Sequence, residues 1–502
     1  MPLPTAAEMA AWDRATIDDL NISEAVLIES AGRAAAHVLH ELYPTGTVVA
    51  GVGGGHNGAD AMVMLRTLAA WGRSVVAVHA GDDSAHDGLK HGWEIPRAVP
   101  LDCRAVFGCA SVIVDGLLGT GARGAPREGH LELIREMNRA AAPVVALDGP
   151  SGVDLTDGSI LTEAVRADVT VSFGALKRGL CMFPGREHAG RIVVVEVGFP
   201  PFEPIASAAA LITPGWARKT LPHVPANAHK GVLGTVVVLA GHPGMGGAAI
   251  MVGMGALRAG AGAVRIVSPS ANRVSIQTAL PEALFVDRAG PALGEVAEAA
   301  DAMVVGPGMG LDDGARAVLG VVLAACEGPI VLDADALTLI SWDPEILPAG
   351  GRERLLLTPH PGEMSRLLAV PTSEITADPF SAARDAAQRF GCTILLKGSP
   401  SIVASPANRT LVNLTGNSGV ATGGMGDTLA GACGAFLAAG STPRDAAALA
   451  LYFCGRAAEI MGCGRSLLPR DVADALPRAF LGNGDARLSG CPEVVMSIPA
   501  PR

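Results

Sequence analysis

The sequence predicts an α/β protein of two domains, each built on a mainly parallel, doubly wound sheet. Three observations predict it. The chain has 502 residues, and single hydrophobic cores stop growing at roughly 250–300 residues, so longer chains divide. Apolar, β-branched runs alternate with helical stretches along its length, the order of strand and crossover helix in a parallel sheet. Hydrophobic residues make up 49%, with 63 glycines and only 4% aromatics, so small residues let helices pack closely on strands buried on both faces. Such a composition excludes a disordered chain.

In the first half, strands are expected at residues 47–52, 74–79, 111–115, 143–148, 168–173 and 191–197. After Gly198 the run Phe199-Pro200-Pro201-Phe202-Glu203-Pro204 has three prolines in five positions. Missing backbone donors break any regular element there, so the linker is placed near it. The pattern restarts with strands at 235–240, 263–267, 303–305, 329–332, 355–357 and 393–396. Ala-rich segments after Gly424 and after Pro443 lack strand-like alternation and are expected to be helices closing the second domain. The domains are set at 1–213 and 220–485.

Charge and cysteine content narrow the function classes. With 38 basic against 49 acidic residues, a formal charge of -11 and no Lys/Arg run, the chain lacks a nucleic-acid footprint and no such partner is expected. The opening stretch carries Glu8, Asp13, Asp18 and Asp19 and no basic patch before an apolar run, unlike a signal peptide. Mean hydropathy is +0.36, and residues 231–257 lack Asp, Glu, Lys and Arg. His242, Pro243 and several glycines interrupt them, so they read as strand, loop and buried helix, with no membrane partner. Nine cysteines show neither metal-ligand spacing nor a disulfide framework, so a reducing, cytoplasmic setting follows. A homo-oligomer is compatible with these residues.

The strongest chemical signal is residues 415–429, TGNSGVATGGMGDTL, ahead of an Ala/Gly-rich helix. Glycines let backbone amides approach an anion, and the helix start adds unpaired N–H groups and partial positive charge, so phosphate is the natural guest. A carboxylate beside phosphate is repelled unless it serves chemistry or caps the helix, which singles out Asp427. Lys397 ends an apolar run, where open α/β sheets meet their ligands. Gly306 to Gly310 and the turn Thr358-Pro359-His360-Pro361-Gly362-Glu363 also follow apolar runs and read as site walls. His360 suits either orienting a polar ligand group or closing the turn. Asp333 and Asp335 suit water-mediated magnesium or helix capping.

In the first half, residues 47–52 run into Gly53-Gly54-Gly55-His56-Asn57-Gly58-Ala59-Asp60-Ala61 and an apolar helix, again a strand, glycine-rich turn and helix start. Two further strand ends, Asp115-Gly116 and Asp148-Gly149-Pro150-Ser151, can converge with it on one crevice. Asn57, Asp115 and Ser151 offer an amide oxygen, a carboxylate and a hydroxyl, a set that fits potassium; local capping is the competing reading. Asp148 suits an acid/base role if burial raises its pKa towards working pH.

The second-half blocks, in this order, resemble the ribokinase-like superfamily. Residues 419–427 with His360, Pro361, Gly362 and Glu363 resemble its NAD(P)H-hydrate dehydratase branch, and the likeness spans roughly 221–477. It implies a ribokinase-like α/β/α domain that binds ADP or ATP with Mg2+ at Lys397, Gly398, Ser399, Pro400, Ser401 and Gly426. It also implies Asp427 addressing the hydrated nicotinamide of NAD(P)HX, the cofactor with water added at C6, and Ala261, Gly308 and His360 lining that pocket. Met425 and Thr428 depart from the usual residues.

Residues 1–199, with Leu27-Ile28-Glu29-Ser30-Ala31-Gly32, resemble the NAD(P)H-hydrate epimerase family. The likeness implies a Rossmann-like domain with potassium at Asn57, Asp115 and Ser151. Cofactor contacts are implied at His56, Asn57, Gly58, Ala59 and Asp60, and at Gly119, Thr120, Gly121, Ala122, Arg123, Gly124 and Ala125. Asp148 is implied as acid/base and ligand contact. The family's Asn-Asn-Gly-Gly-Asp-Gly reads His56-Asn57-Gly58-Ala59-Asp60-Ala61 here, three substitutions. The function expected is epimerisation of R- and S-NAD(P)HX with ADP-dependent dehydration of the S form. The competing readings are a ribokinase-like small-molecule kinase, in which Asp427 deprotonates an alcohol, and a first half that binds without catalysis.

Overall fold

A computed structural model describes residues 1–81, 84, 86–98, 102–200, 209–229, 231–290, 293–482 and 491–501. From residue 201 onward the expected linker lies outside them. The chain divides into two compact units, Met1–Ala209 with Gly484–Pro501, and Ala210–Asn483.

The first unit holds β1 (Val48–Val52), β2 (Val75–His79), β3 (Arg97–Ala98), β4 (Val112–Gly116), β5 (Val144–Leu147), β6 (Val169–Phe173) and β7 (Arg191–Val195). Their order is β7-β6-β5-β4-β1-β2-β3, all parallel. The strand Val494–Ile498 pairs antiparallel with β7 at the open edge. β1, β4, β5 and β6 are buried along their whole length, so their side chains are mainly apolar, as helix-covered parallel strands require; Asp115, Thr170 and Ser172 are the buried polar exceptions.

The second unit adds β8 (Ala209–Leu211), β9 (Thr235–Leu239), β10 (Ala263–Ser268), β11 (Leu284–Asp287), β12 (Ala302–Val305), β13 (Ile330–Leu332), β14 (Leu355–Leu357), β15 (Thr393–Leu396), β16 (Ser401–Ser405) and β17 (Asn408–Asn413). The order is β11-β10-β9-β12-β13-β14-β15-β16-β17-β8. It is parallel from β11 to β15, then antiparallel through β16 and β17. Helices Met425–Ala438 and Pro443–Met461 are where the Ala-rich segments were expected. The first packs so tightly on helix Gly246–Arg258 that a Cβ on Gly431 would lie 2.0 Å from the Val252 carbonyl oxygen.

Every parallel strand expected from the sequence is present. The unforeseen strands are β3, β8, β11, β16, β17 and Val494–Ile498: short, at sheet edges or antiparallel. Residues 231–257 form β9, a loop and the start of a helix. Among the described residues, no helix is long and apolar enough to cross a membrane.

Two candidate active sites at the strand ends

In the first unit, the carboxyl ends of β1, β4 and β5 carry the polar residues. Helix His56–Ala70 starts directly behind β1 with no side-chain cap. Its turn is so close that a Cβ on Gly58 would stand 1.8 Å from the Gly53 carbonyl oxygen, and only glycine fits. Asp115, fully buried, accepts from Leu117 N–H at 3.2 Å and from the Ser151 hydroxyl and N–H at 2.6 and 2.7 Å. Burial pushes its pKa up to about 6 against these hydrogen bonds. Ser151 Oγ accepts from Leu118 N–H at 2.9 Å, and Asn57 Nδ2 donates to the Leu118 carbonyl at 3.0 Å. The three oxygen-bearing residues thus meet around Leu118. Asn57 Oδ1 is buried and has no hydrogen-bond partner. An orphaned buried oxygen beside a carboxylate and a hydroxyl is the donor chemistry a weakly hydrated cation takes, so the residues fit potassium.

Asp148 follows β5 with φ +65°, the left-handed region that a side chain adopts at a cost of roughly 1–3 kcal/mol. Its Oδ2 accepts from the Thr120 N–H and hydroxyl at 3.0 and 2.8 Å. Its Oδ1 accepts from the ammonium of Lys177, which also donates to the Phe173 carbonyl at 2.7 Å and Ser172 Oγ at 3.3 Å. Burial alone would raise this carboxyl, but the Lys177 charge and the Lys177 and Thr120 hydrogen bonds outweigh it, and the pKa is lowered. The raised pKa expected for an acid role is therefore reversed by Lys177, a lysine 29 positions on that carries no local signal in the sequence. Gly119 joins the two clusters: a Cβ there would lie 3.2 Å from Asp148 Oδ2 and 3.3 Å from Asn57 Cβ.

Two more carboxyls face this pair. Asp60 is nearly buried, and burial with the charges of Asp148 and Asp13 raises it well above the ordinary range. Asp13, half-buried, is pushed up to about 6 by burial and Asp148. Gly58 and Ala59 are buried in the helix start, whereas His56 is exposed and bonds Glu24 at 2.7 Å. Gly121, Ala122, Arg123, Gly124 and Ala125 form an exposed loop, with Arg123 folded onto the Thr120 and Ala122 carbonyls at 2.9 and 2.8 Å.

In the second unit the site lies at the carboxyl ends of β12 to β15. Gly424, with φ +88°, is the N-cap of helix Met425–Ala438, which has no side-chain cap. Asp427 is its third residue, so the capping explanation for this carboxylate is removed. Burial and the charges of Asp333 and Asp335 push Asp427 up to about 7, against the lowering charge of Lys397. The preceding loop is tied down by Gly416 N–H to Glu459 at 2.8 Å, Asn417 Nδ2 to Ala458 O at 3.1 Å and Thr415 Oγ1 to Tyr452 O at 3.0 Å.

Lys397, at the end of β15, bonds Asp333 Oδ1 at 2.8 Å and lies 3.7 Å from Glu363. Burial would lower its pKa, but Asp333, Glu363 and Asp427 reverse this and it is raised. A Cβ on Gly426 would lie 3.4 Å from Lys397 Nζ and 3.9 Å from Asp333 Oδ2, so the helix start faces the ion pair. Ser401 Oγ closes the turn over Gly398, donating to its carbonyl at 2.8 Å; Gly398 and Ser399 are exposed and Pro400 is buried. His360 caps helix Pro361–Leu368, its Nδ1 accepting from Gly362 and Glu363 N–H at 3.0 and 3.4 Å. That leaves the ring proton on Nε2, on an exposed side chain.

Neither Asp333 nor Asp335 caps helix Asp335–Trp342. Asp335 accepts from Gly310 N–H at 2.9 Å, and among the described residues no group of three His, Cys, Asp or Glu can hold a metal. Magnesium fits here only as an ion carried on nucleotide phosphates and touched by one or two carboxylates, its usual mode. Ala334, between them, has φ +51°. Gly308 packs against Ala248 and Met245, 3.3 and 3.4 Å from where its Cβ would stand, two neighbours the sequence did not single out. Ala261 is a correction: it precedes β10, whose Ala263 pairs with Thr235 at the start of β9. It sits at the amino-terminal rim of the sheet, opposite Gly308, His360 and Asp427.

Comparison with known proteins agrees with this division. Residues 24–179 match the family described as YjeF-related protein N-terminus, and residues 236–478 match NAD(P)H-hydrate dehydratase. The bifunctional NAD(P)H-hydrate repair enzyme Nnr of Salinibacter ruber is 35% identical over 523 residues, covering 95% of this chain and 96% of that one. Its namesake in Escherichia coli is 33% identical over 490 residues, covering 94% and 93%. Among solved structures, a ribokinase-like superfamily protein from Enterococcus faecalis aligns with a TM-score of 0.51 and 28% identity, over 55% of this chain and 97% of that one.

Proposed function

The chain belongs to the bifunctional NAD(P)H-hydrate repair enzymes, and from that premise we propose how its two strand-end sites divide the repair. It interconverts the R and S forms of NAD(P)HX and dehydrates the S form to NAD(P)H. Epimerisation belongs to the Asp148–Lys177 site and dehydration to the Asp427 site. Asp148, kept ionised by Lys177, accepts a proton from substrate. Asn57, Asp115 and Ser151 would hold potassium, which would offset buried negative charge beside Asp148.

In the second unit an adenine nucleotide, with ADP as the expected one, lays its phosphates on the amides at the start of helix Met425–Ala438 and against Lys397. Magnesium would be held on those phosphates, and a nucleotide bound there would supply the activation that lets the C6 hydroxyl leave as the elimination proceeds. Asp427 takes the substrate proton, while His360 Nε2–H and the Gly308 backbone orient the hydrated ring. The observation that carries this reading is Asp427: an uncapping carboxyl in the first turn of a glycine-capped helix, with its pKa near 7. General bases work best when their pKa lies near the operating pH. A cytoplasmic setting is supported by nine free cysteines among the described residues.

The test is absorbance of the reduced-nicotinamide band during incubation of mixed NADHX epimers with ADP, ATP or neither. Full recovery of NADH with ADP is expected, and only the S fraction if the first site is inert. Asp427→Ala should still interconvert the epimers but recover no NADH. Phosphorylation of an added alcohol without NADH recovery would sink the repair reading in favour of a small-molecule kinase.

A further inference from the structure

Helix Ala6–Asp18 precedes the residues matched by the epimerase-type family, and nothing above assigns its acidic residues a role. The helix is nonetheless fixed against the Asp148–Lys177 site. Arg178, next to Lys177, donates its N–H to the Pro4 carbonyl at 2.9 Å, and Ala6 N–H bonds Thr156 Oγ1 at 3.2 Å. Met9 and Trp12 pack on Ala175 and Phe199. Ala6, Met9 and Thr16 are buried, spaced as one helix face, and Asp13 falls on that face between Met9 and Thr16. From there it faces Asp148 and Lys177, His56 and Asp60, with Arg14 its charged neighbour on the same helix.

Elimination within this cluster leaves Asp13 as the exchangeable acid. The hydrogen bonds of Lys177 run to Asp148, Phe173 and Ser172. Asp60 is nearly buried, and His56 is turned to Glu24. Asp13 is only half-buried, and burial with Asp148 pushes it up to about 6. A carboxyl that holds its proton near working pH beside an ionised carboxylate is the pairing that acid–base chemistry at one carbon needs.

Resting on the epimerase reading of this site, we propose that Asp13 is the proton donor that works against Asp148, protonating the ring nitrogen of NAD(P)HX as the C6 centre opens. Water at C6 makes a carbon that bears both a hydroxyl and the ring nitrogen N1. Asp148 takes the hydroxyl proton, the C6–N1 bond breaks, C6=O forms, and N1 receives the Asp13 proton. The freed aldehyde turns its other face, and the reverse transfers close the opposite epimer and restore both carboxyls. Nothing is oxidised or reduced.

The test follows conversion of purified R-NADHX to the S form in the full-length protein across pH, separating the epimers. The parent's kcat/KM should fall as pH rises above about 6, because Asp13 must be protonated. Asp13→Asn should be slower by at least about 100-fold, within the range general acids contribute, and lose that fall. Asp13→Glu should restore most of the rate and the fall. An Asp13→Asn protein within about threefold of the parent, or one that keeps the alkaline fall, overturns the assignment. So does an Asp13→Glu protein as slow as Asp13→Asn, which would mark a packing role. A parent that never interconverts the epimers overturns the epimerase reading and the assignment with it.

Discussion

Set side by side, the two sites solve one electrostatic problem with the same parts and opposite outcomes. Each places an aspartate at the end of a central strand, Asp148 after β5 and Asp333 after β13, and pairs it with a lysine from a later segment, Lys177 or Lys397. Each stores strain there, at Asp148 itself and at Ala334. Each sets a further carboxyl against the ion pair, raised to about 6 at Asp13 and about 7 at Asp427. The difference lies in which carboxylate faces the chemistry. On the proposed division, the base in the first unit is the paired one, lowered by its lysine, with the raised Asp13 as its acid partner, and in the second it is the unpaired one, raised by its neighbours. A buried ion pair therefore does not mark the reactive residue; its charge sets the titration of whatever lies beside it.

The comparison breaks most visibly at Asp427. Asp427→Asn should lower the dehydration rate by about 10³-fold or more, within the span of a lost general base, with R-to-S interconversion retained. Dehydration within tenfold of the parent would return Asp427 to a bystander. Next in size is Lys177→Met, which leaves Asp148 buried without its counter-charge. Removing one partner of a buried pair costs about 3–5 kcal/mol, read as a loss in urea unfolding of the first unit, and epimerisation should fall about 100-fold as Asp148 loses its ionised state near neutrality. An unfolding midpoint matching the parent's would show that the Thr120 hydrogen bonds suffice alone. Smaller again is Asn57→Ala, which removes the orphaned oxygen. The potassium concentration for half-maximal epimerisation should rise by about 10–100-fold, the scale on which metal-site substitutions act. Equal rates in potassium and choline salts would dismiss the cation.

The reach of the sequence follows the same division. Central parallel strands were legible because burial on both faces forces mainly apolar runs, and glycine-rich helix starts because close approach at Gly58 and a left-handed backbone at Gly424 call for glycine. The strands β16 and β17 were not, since Ser401–Ser405 holds only three consecutive apolar residues and Asn408–Asn413 only two, runs too short to stand out. Asp115, Asp148, Ser151, Lys397 and Asp427 stood out because each follows an apolar run or opens a helix. Lys177 and Asp13 carried no local signal: a lysine in a loop and an aspartate on an N-terminal helix read as solvated charges until tertiary packing sets them against Asp148. Ala261 failed for the converse reason, since one Gly-Ala-Gly looks like another until strand direction shows which rim it occupies.

The smallest effect expected is on stability, and its sign sharpens the contrast between paired and unpaired carboxyls. Asp427 titrates near 7 in the folded chain and at 3.8 when unexposed to its neighbours, so folding takes up a proton between those values. By linkage its cost is absent below about pH 4, grows as pH rises, and is complete above about 7. Asp427→Asn keeps the shape and removes the charge. It should leave the melting temperature unchanged at pH 4 and raise it at pH 8 by about 2–4 °C, taking a solvent-discounted gain of about 1 kcal/mol for a unit of this size. Asp148→Asn should instead lower the melting temperature at both pH values, because its lowered carboxyl contributes stability that is present above the ordinary carboxylate pKa and lost only as pH falls through its lower folded pKa. Calorimetry of both variants at the two pH values checks the pair, and melting shifts of the same sign at pH 8 would erase the distinction between the two sites.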